Sequence, residues 1–301
     1  MDNKKSGFTK SDKFRLTVQL LWIVITNSFV TGFTQGKIYQ GQGKKLCLPG
    51  LNCYSCPGAL GSCPIGALQA VIGTEHKIPI YVSGMLIFIG ALVGRFVCGW
   101  LCPFGLVQDL LHKIPFFKKI TVFKADRYLR YLKYVILIVF VILLPLFLLD
   151  DYGSGTPWFC KYICPSGMLF GGIPLAALNA SIRESAGWLF AYKGVILAVT
   201  VLLSVMIYRP FCKYICPLGA IYGLFNKVSV LRIRNNESKC IRCGKCEGVC
   251  QMNVSVLSDP DSVECIRCGN CVRSCPAESL SMKFSLKNDK SGHITEQNAE
   301  K

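Results

Sequence analysis

Two copies of one cysteine spacing near the C-terminus limit that segment to a small set of structures. Each copy reads C-x₂-C-x₂-C-x₃-C, and the second begins 25 residues after the first. This run wraps paired [4Fe–4S] clusters, with the fourth cysteine of each motif binding the cluster of the other. The predicted ligand sets are therefore Cys240, Cys243, Cys246 and Cys275 for one cluster, and Cys265, Cys268, Cys271 and Cys250 for the other.

Zinc and disulfides are weaker explanations of these eight cysteines. A zinc ribbon needs only four cysteines in two pairs, and disulfides need an oxidising compartment, which the topology below excludes for this segment. We expect a small α+β domain of the bacterial two-cluster ferredoxin type over 235–286, stabilised largely by cluster binding. The polar stretch 287–301 is predicted to be a disordered tail.

The rest of the chain has the composition of a membrane protein. Hydrophobic residues make up 51% of its 301 positions, and the mean hydropathy is +0.41. The run VILIVFVILLPLFLL leaves no polar face for water, which argues against a buried helix of a soluble domain. We predict a basic N-terminus over 1–15 and a mainly α-helical membrane domain over 16–234. Its spans, each about 17–25 residues long, are expected at 16–33, 78–97, 128–149 and 188–208.

The net charge of +17 indicates an orientation in the membrane. Lysine and arginine are concentrated before the first span, between the second and third, and after the fourth. This positive-inside pattern predicts a multi-pass plasma-membrane protein with both termini in the cytoplasm. No base-stacking aromatic motif accompanies the charge, so no nucleic-acid partner is expected. The first span lacks a small-residue cleavage site and is expected to be an uncleaved anchor.

The predicted membrane domain contains an internal repeat. The segment 95–105, RFVCGWLCPFG, matches 209–219, RPFCKYICPLG, at the inner ends of two spans. On the outer side Cys63-Pro resembles Cys164-Pro, and each opens an apolar stretch too short to cross. We expect two parallel repeats of span, outer element, span and inner element. The string FCKYICP, present at 159–165 and 211–217, would then lie on opposite faces; the copies would share a face if 166–180 crossed.

The C-x₃-C-P elements on the inner side are candidates for a further redox or metal centre. Cysteines four residues apart face one side of a helix, and a following proline suits the first turn of a new helix, whose positive end favours a thiolate. The predicted inner site consists of Cys98, Cys102, Cys212 and Cys216. Alternatively, these cysteines are packing residues at a helix interface. Arg95 lies where snorkelling is the ordinary explanation, although Arg95 and Arg209 could instead stabilise the inner thiolates.

The remaining cysteines lie on the predicted outer side. They are Cys47, Cys53, Cys56, Cys63, Cys160 and Cys164. Glycine and proline crowd them as in cluster-binding loops, which favours another cluster or redox centre, but they could also form three disulfides. No haem is expected, because there is no C-x-x-C-H and none of His76, His112 and His293 lies in the middle of a span.

The order of these motifs resembles the NapH/MauN-type membrane ferredoxins and the C-terminal membrane half of the NosR regulators. The resemblance implies a membrane-anchored iron–sulfur protein that passes electrons between the quinone pool and a partner redox protein. The inner cysteines match the paired membrane motifs, and the eight C-terminal cysteines match the cluster ligands. The chain departs from the family in its third C-x₃-C-P at Cys160 and Cys164, in its cysteine-rich outer loop, and in Gln251, which replaces a common proline.

We therefore expect an electron-transfer component, with a quinol dehydrogenase-like role as one form of it. A competing hypothesis is thiol-based handling or reduction of a metal such as Cu(I), which soft thiolates select, during maturation of another redox enzyme. A third hypothesis is a thiol–disulfide relay through the outer cysteines.

Overall fold

The computed structural model describes residues 10–75, 79–115, 119–120, 125–150 and 155–285. The predicted tail, His76 and His293 lie outside the described residues, as does most of the basic N-terminus. The first helices are α1 (Lys10–Thr26), α2 (Val30–Gln35), α3 (Pro64–Glu75), α4 (Ile80–Val93), α5 (Phe96–Trp100), α6 (Pro103–His112) and α7 (Asp126–Phe147). They are followed by α8 (Phe159–Ile163), α9 (Pro165–Leu178), α10 (Ala180–Glu184), α11 (Trp188–Met206), α12 (Pro210–Tyr214) and α13 (Pro217–Phe225).

Among the described residues, α7 and α11 are long and apolar enough to cross a membrane, with 22 and 19 residues. They occupy the predicted spans 128–149 and 188–208. Within α7 the stretch Leu137–Leu143 forms wider, π-type turns. Pro145 follows this stretch, and its ring cannot fit against the carbonyl of the preceding turn, which accounts for the local widening.

The other two predicted spans are not single continuous helices. Helix α1 ends at Thr26, where the Asn27 side chain donates to the Ile23 carbonyl at 3.1 Å; such side-chain bonds compete with helix continuation. Helix α4 has only 14 residues and stops at Gly94, whose φ of +53° is outside the helical region. The sequence ranges 16–33 and 78–97 therefore overestimate the helices, and the four-span, two-repeat topology stays a prediction.

The C-terminal module is a small α+β unit, as expected from its two cysteine motifs. Strand β1 (Leu231–Asn235) pairs antiparallel with β2 (Leu280–Phe284). The cysteine motifs lie between the strands, with the short helices α14 (Lys245–Gly248) and α15 (Asn270–Ser274). Leu231, the first residue of β1, pairs with Phe284 of β2. The sheet of this module therefore begins four residues before the predicted boundary at 235.

One apolar core joins the helical part to the module. It contains Cys47 and Cys63 from the long loop before α3, Cys98 and Cys216 from the C-x₃-C-P elements, and Ile266 from the module. The loop expected on the outer side therefore reaches the same interior as the inner cysteines.

Candidate metal centres

The first ferredoxin motif surrounds a cavity in the C-terminal module. The thiols at this cavity are those of Cys240, Cys243, Cys246 and Cys275. The loop curls tightly because Arg242 and Gly244 adopt left-handed conformations, at φ +48° and +70°, which turn successive cysteines toward one space. The structure thus brings together the cysteines of the first predicted cluster, while their role as ligands stays a prediction.

The second motif surrounds a neighbouring cavity of the same design. Its thiols are those of Cys250, Cys265, Cys268 and Cys271. Arg267 and Gly269 repeat the left-handed pair, at φ +50° and +78°. Tyr208, just after α11, also lines this cavity, so the second cavity faces the helical part of the protein.

Two cysteine sulfurs in the module lie within hydrogen-bonding distance of polar groups. The backbone N–H of Val254 donates to Cys250 Sγ at 3.4 Å, and Ser279 Oγ lies 3.2 Å from Cys275 Sγ. The Ser279 contact lowers the pKa of Cys275 to about 7. Donors directed at ligand sulfurs stabilise the thiolates and tune the potential of a bound cluster.

The inner cysteines come together from both halves of the helical part. All four are buried; Cys98, Cys102 and Cys216 pack in one apolar core, and Cys212 follows Phe211 of the same core. Cys102 and Cys216 directly precede prolines that open α6 and α13, as the C-x₃-C-P pattern predicted. The structure therefore unites the predicted inner set.

Gln108 on α6 holds the second C-x₃-C-P element in place. Its Nε2 donates to Cys212 Sγ at 3.1 Å, and its Oε1 accepts from the Phe211 N–H at 3.2 Å. Gln108 is almost completely buried. The helix after Cys102 thus positions a cysteine of the other element.

Arg95 and Arg209 form a crossed pair of contacts with the two elements. Arg95 Nη2 donates to the Cys212 carbonyl at 2.7 Å, and Arg209 Nη1 donates to the Cys98 carbonyl. Both guanidinium groups are fully buried. Snorkelling is therefore the wrong explanation of Arg95, because a snorkelling side chain keeps its charge in water.

Glycines make room for these arginines at the starts of α6 and α13. A Cβ at Gly105 would lie 3.1 Å from the Cys98 carbonyl and 3.2 Å from Arg209 Nη1. A Cβ at Gly219 would meet the Cys212 carbonyl and Arg95 Nη2 at the same two distances. The glycine of each Cys-Pro-x-Gly sequence therefore leaves room for the crossed contacts.

Buried carboxylates balance the buried cations. Asp109 on α6 accepts from Arg209 Nε at 2.6 Å and from Arg15 Nη2 at 3.0 Å. Burial alone would raise the pKa of Asp109, but Arg209 and Arg15 outweigh it and hold that pKa below its usual range. Asp109 therefore stays charged and fixes the orientation of Arg209.

The module docks on the inner site through Glu264. This carboxylate accepts from Arg95 Nη1 at 2.8 Å and from Lys133 Nζ, and all three side chains are buried. Burial opposes the negative charge, yet Arg95 and Lys133 hold the pKa of Glu264 below its usual range. Arg95 thus contacts both the inner C-x₃-C-P element and the module.

Hydrogen bonds to the second ferredoxin loop complete the docking. Asn226 Nδ2 donates to the Cys265 carbonyl at 2.8 Å, and Trp100 Nε1 donates to the Arg267 carbonyl at 3.1 Å. A Cβ at Gly99 would lie 2.4 Å from the Ile266 carbonyl. The second module cavity is therefore packed directly against the inner element.

The structure divides the six outer cysteines into two groups. A cavity of about 350 Å³ is lined by the thiol-bearing residues Cys53, Cys63, Cys160 and Cys164. Cys47 and Cys56 are buried elsewhere in the same loop. The two FCKYICP strings thus belong to different sites, one with Cys63 and one with Cys98.

All eighteen cysteines lie in the described ranges, and none of them forms a disulfide there. In the same ranges no three His, Cys, Asp or Glu side chains are close enough to hold one metal ion. Twelve of these cysteines line three cavities, four at each, and four thiols around one cavity match the ligand number of a [4Fe–4S] cluster.

Comparison with known proteins identifies relatives of this chain. A family model described as "4Fe-4S binding domain" matches residues 78–123, 132–173 and 193–236. An uncharacterized protein of Methanocaldococcus jannaschii is 30% identical over 73% of this chain and 77% of its own length. The putative electron transport protein YccM of Escherichia coli is 31% identical over 76% and 64%. The methylamine utilization ferredoxin-type protein MauN of Paracoccus denitrificans is 29% identical over 64% and 62%.

The resemblance stated from the motifs is confirmed by further matches to ferredoxin-type proteins named NapH and to the regulatory protein NosR. The chain belongs to the NapH/MauN-type ferredoxin family. It spans less than two thirds of the length of YccM, MauN, NapH and NosR. No solved structure matches.

In this NapH/MauN-type ferredoxin the three matched stretches each contain one C-x₃-C-P element. They contain the pairs Cys98 and Cys102, Cys160 and Cys164, and Cys212 and Cys216, respectively. The third element, which had looked like a departure from the family, is therefore covered by the same family model.

Four residues at these sites were not predicted from the sequence. Gln69, Gln108 and Glu264 make their key contacts with residues far away in the chain. Tyr222 on α13 is fully buried, and its hydroxyl has no hydrogen-bond partner among the described residues. A signal was available for the two glutamines, since each lies six residues after a Cys-Pro cysteine.

Proposed function

We propose that this NapH/MauN-type ferredoxin is a membrane-anchored electron-transfer protein. Cys240, Cys243, Cys246 and Cys275 would hold one [4Fe–4S] cluster, and Cys250, Cys265, Cys268 and Cys271 a second. The inner cysteines Cys98, Cys102, Cys212 and Cys216 would hold a further thiolate-bound centre. The observation that carries the proposal is the direct packing of the second module cavity against the inner site, through Asn226 and Trp100.

The donor set fits iron–sulfur clusters. The module cavities are lined by thiols that converge from tight loops and receive hydrogen bonds. When bound, such clusters supply one-electron oxidation and reduction. The protein's part is to hold the thiolates, to exclude water and to keep the sites in contact.

The buried cations contribute to the electrostatics of this path. Arg95, Arg209 and Lys133 are fully buried near the inner thiolates and the docked module. Their positive charge offsets the negative charge of four thiolates, and this stabilises the more negative, reduced form of a centre held there. The carboxylates of Glu264 and Asp109 accept hydrogen bonds from Arg95 and Arg209 and so hold these two cations in position.

The membrane orientation is part of the proposal. The positive-inside pattern supports cytoplasmic termini, a cytoplasmic module and a location in the plasma membrane. The electron partner would be the quinone pool or a separate redox protein. A largely apolar cavity of about 550 Å³, lined by residues such as Leu86, Leu137 and Phe225, supports a lipid-soluble partner, since apolar concave sites accept such molecules.

A redox titration followed by EPR tests the proposal on protein purified without oxygen. The double variant Cys98→Ser/Cys212→Ser should lose one redox centre and keep the signals of the module. The double variant Cys243→Ser/Cys268→Ser should lose the module signals. Iron-free wild-type protein, or copper bound by wild type and lost from the inner variant, would contradict the proposal and favour metal handling.

A further inference from the structure

The cavity lined by Cys53, Cys63, Cys160 and Cys164 has the features of a separate binding site. We infer that it binds an additional [4Fe–4S] cluster through these four thiolates, whereas Cys47 and Cys56 are not ligands. The inference rests on the proposed electron-transfer function and extends it by one centre. Its support comes from the lining of the cavity and from features that a packing cluster of cysteines would not require.

The first feature is a glutamine clamp that matches the one at the inner site. Gln69 on α3 donates from Nε2 to Cys160 Sγ at 3.4 Å, and its Oε1 accepts from the Phe159 N–H at 3.0 Å. Gln108 makes the corresponding contacts with Cys212 Sγ and the Phe211 N–H. Gln69 is completely buried, so its amide serves the cysteine element rather than solvent.

The second feature is the space kept open beside the thiols. A Cβ on Gly66 would lie 3.8 Å from Cys160 Sγ, and a Cβ on Gly167 would lie 3.7 Å from Cys53 Sγ. Both glycines line the cavity. At these distances a Cβ would be in van der Waals contact with a thiol, so the two glycines keep the space next to Cys160 Sγ and Cys53 Sγ free of side-chain atoms.

The third feature is a buried polar atom at the cavity without a partner. Ser166 lines the cavity and is 1% exposed, and its Oγ has no hydrogen-bond partner among the described residues. A buried hydroxyl left unpaired is costly. A bound cluster would supply sulfur acceptors for it.

The fourth feature is a positive charge at the same cavity. Lys193 on α11 lines it, and Nζ donates to the Cys160 carbonyl at 3.1 Å. A cluster held by four thiolates is an anion, and an ammonium group beside it offsets part of that charge. Disulfides would carry no charge for Lys193 to balance.

The position of this cavity links it to the inner site. Leu51 lines this cavity, and a Cβ on the preceding Gly50 would lie 3.2 Å from the Cys102 Cα. Cys63 of this cavity also packs in one apolar core with Cys98 and Cys102 of the inner site. A centre bound here would therefore neighbour the inner site, in the order module, inner site, outer cavity.

The test compares cysteine variants of the full chain, purified without oxygen. Cys160→Ser/Cys164→Ser should contain about four fewer irons per chain than wild type, with a matching loss of sulfide. The matched control Cys47→Ser/Cys56→Ser should retain the wild-type iron content. Equal iron content in all three proteins would overturn the inference. Zinc that wild type contains and Cys160→Ser/Cys164→Ser lacks, with no difference in iron, would also overturn it.

A conservative variant tests the site without removing a cysteine, in case the cysteine variants misfold. Ser166→Ala should keep the iron content and move the midpoint potential of one EPR-active centre downward, because a donor to sulfur is lost. No change in any midpoint potential would contradict the assigned role of Ser166.

Peptide mapping without reductant tests the disulfide alternative. Disulfides among Cys53, Cys63, Cys160 and Cys164 in wild type would overturn the inference. Iron in the module is counted separately with Cys243→Ser/Cys268→Ser, so loss of the proposed function and loss of this cluster give different results.

Discussion

Arg95 donates to the carbonyl oxygen of Cys212 at 2.7 Å across 117 positions of sequence. The same guanidinium binds Glu264 of the cluster module. One buried side chain therefore ties the second C-x₃-C-P element to the docked module.

Replacement of Glu264 by glutamine should destabilise the docked module. Arg95 and Lys133 would remain buried without their carboxylate, and breaking a buried ion pair in this way costs about 3–5 kcal/mol. Thermal unfolding of the purified protein in detergent measures the loss. Glu237→Gln, at an exposed position, is the matched control and should unfold like wild type. Equal unfolding temperatures for both variants would contradict the role of Glu264.

The stabilising effect of Glu264 should depend on pH. Its folded-state pKa is lowered, so its contribution is present above the unfolded value of about 4.3 and is lost as pH falls through the folded pKa. The difference in unfolding temperature between wild type and Glu264→Gln should therefore be large at neutral pH and shrink below about pH 4. A difference that grew on acidification would show that the sign is wrong.

Replacement of Gly105 by alanine should disturb the crossed arginine contacts. The new Cβ would meet the Cys98 carbonyl at 3.1 Å and Arg209 Nη1 at 3.2 Å, and overpacking of this kind costs about 1–3 kcal/mol. Gly84→Ala is the control, because nothing lies within 4 Å of its Cβ position, and alanine in a helix should be neutral or stabilising. Unfolding temperatures of both variants check this prediction; an unchanged Gly105→Ala protein would argue against a tight arginine site.

Replacement of Gln108 by leucine should shift a redox potential without loss of iron. The variant loses the Nε2 contact with Cys212 Sγ, and removal of a donor to sulfur favours the oxidised centre. We expect a downward shift on the order of tens of millivolts for one centre, measured by EPR-monitored titration. Gln42→Leu, at an exposed position, should leave every potential unchanged. A matching shift in both variants would mean that Gln108 has no specific role.

The cysteine groupings in the module could be predicted from the sequence, because the short spacing brings three cysteines of one loop together and the motif type assigns the fourth from the other loop. Two residues between cysteines force a tight turn, and the left-handed Arg242 and Gly244 show how the chain achieves it. Helices α7 and α11 could also be predicted from the sequence, since long apolar runs have few alternative structures.

The partners of Arg95, Gln108 and Glu264 could not be predicted, because each is 104 to 169 positions away in sequence. Local patterns assign a basic residue near a span end to snorkelling, and only the folded chain shows that Arg95 is enclosed. The early end of α1 at Thr26 has a similar cause: side-chain hydrogen bonds at Asn27 outweigh an apolar pattern that continues to residue 33.

The most direct test of the account is the iron and acid-labile sulfide content of the C-terminal module within the full chain. Mössbauer and chemical analysis of anaerobically purified wild type, compared with Cys243→Ser/Cys268→Ser, should show that about eight irons per chain depend on the module cysteines. Wild-type protein with fewer irons than this, or a cysteine variant that keeps them all, would contradict the central claim.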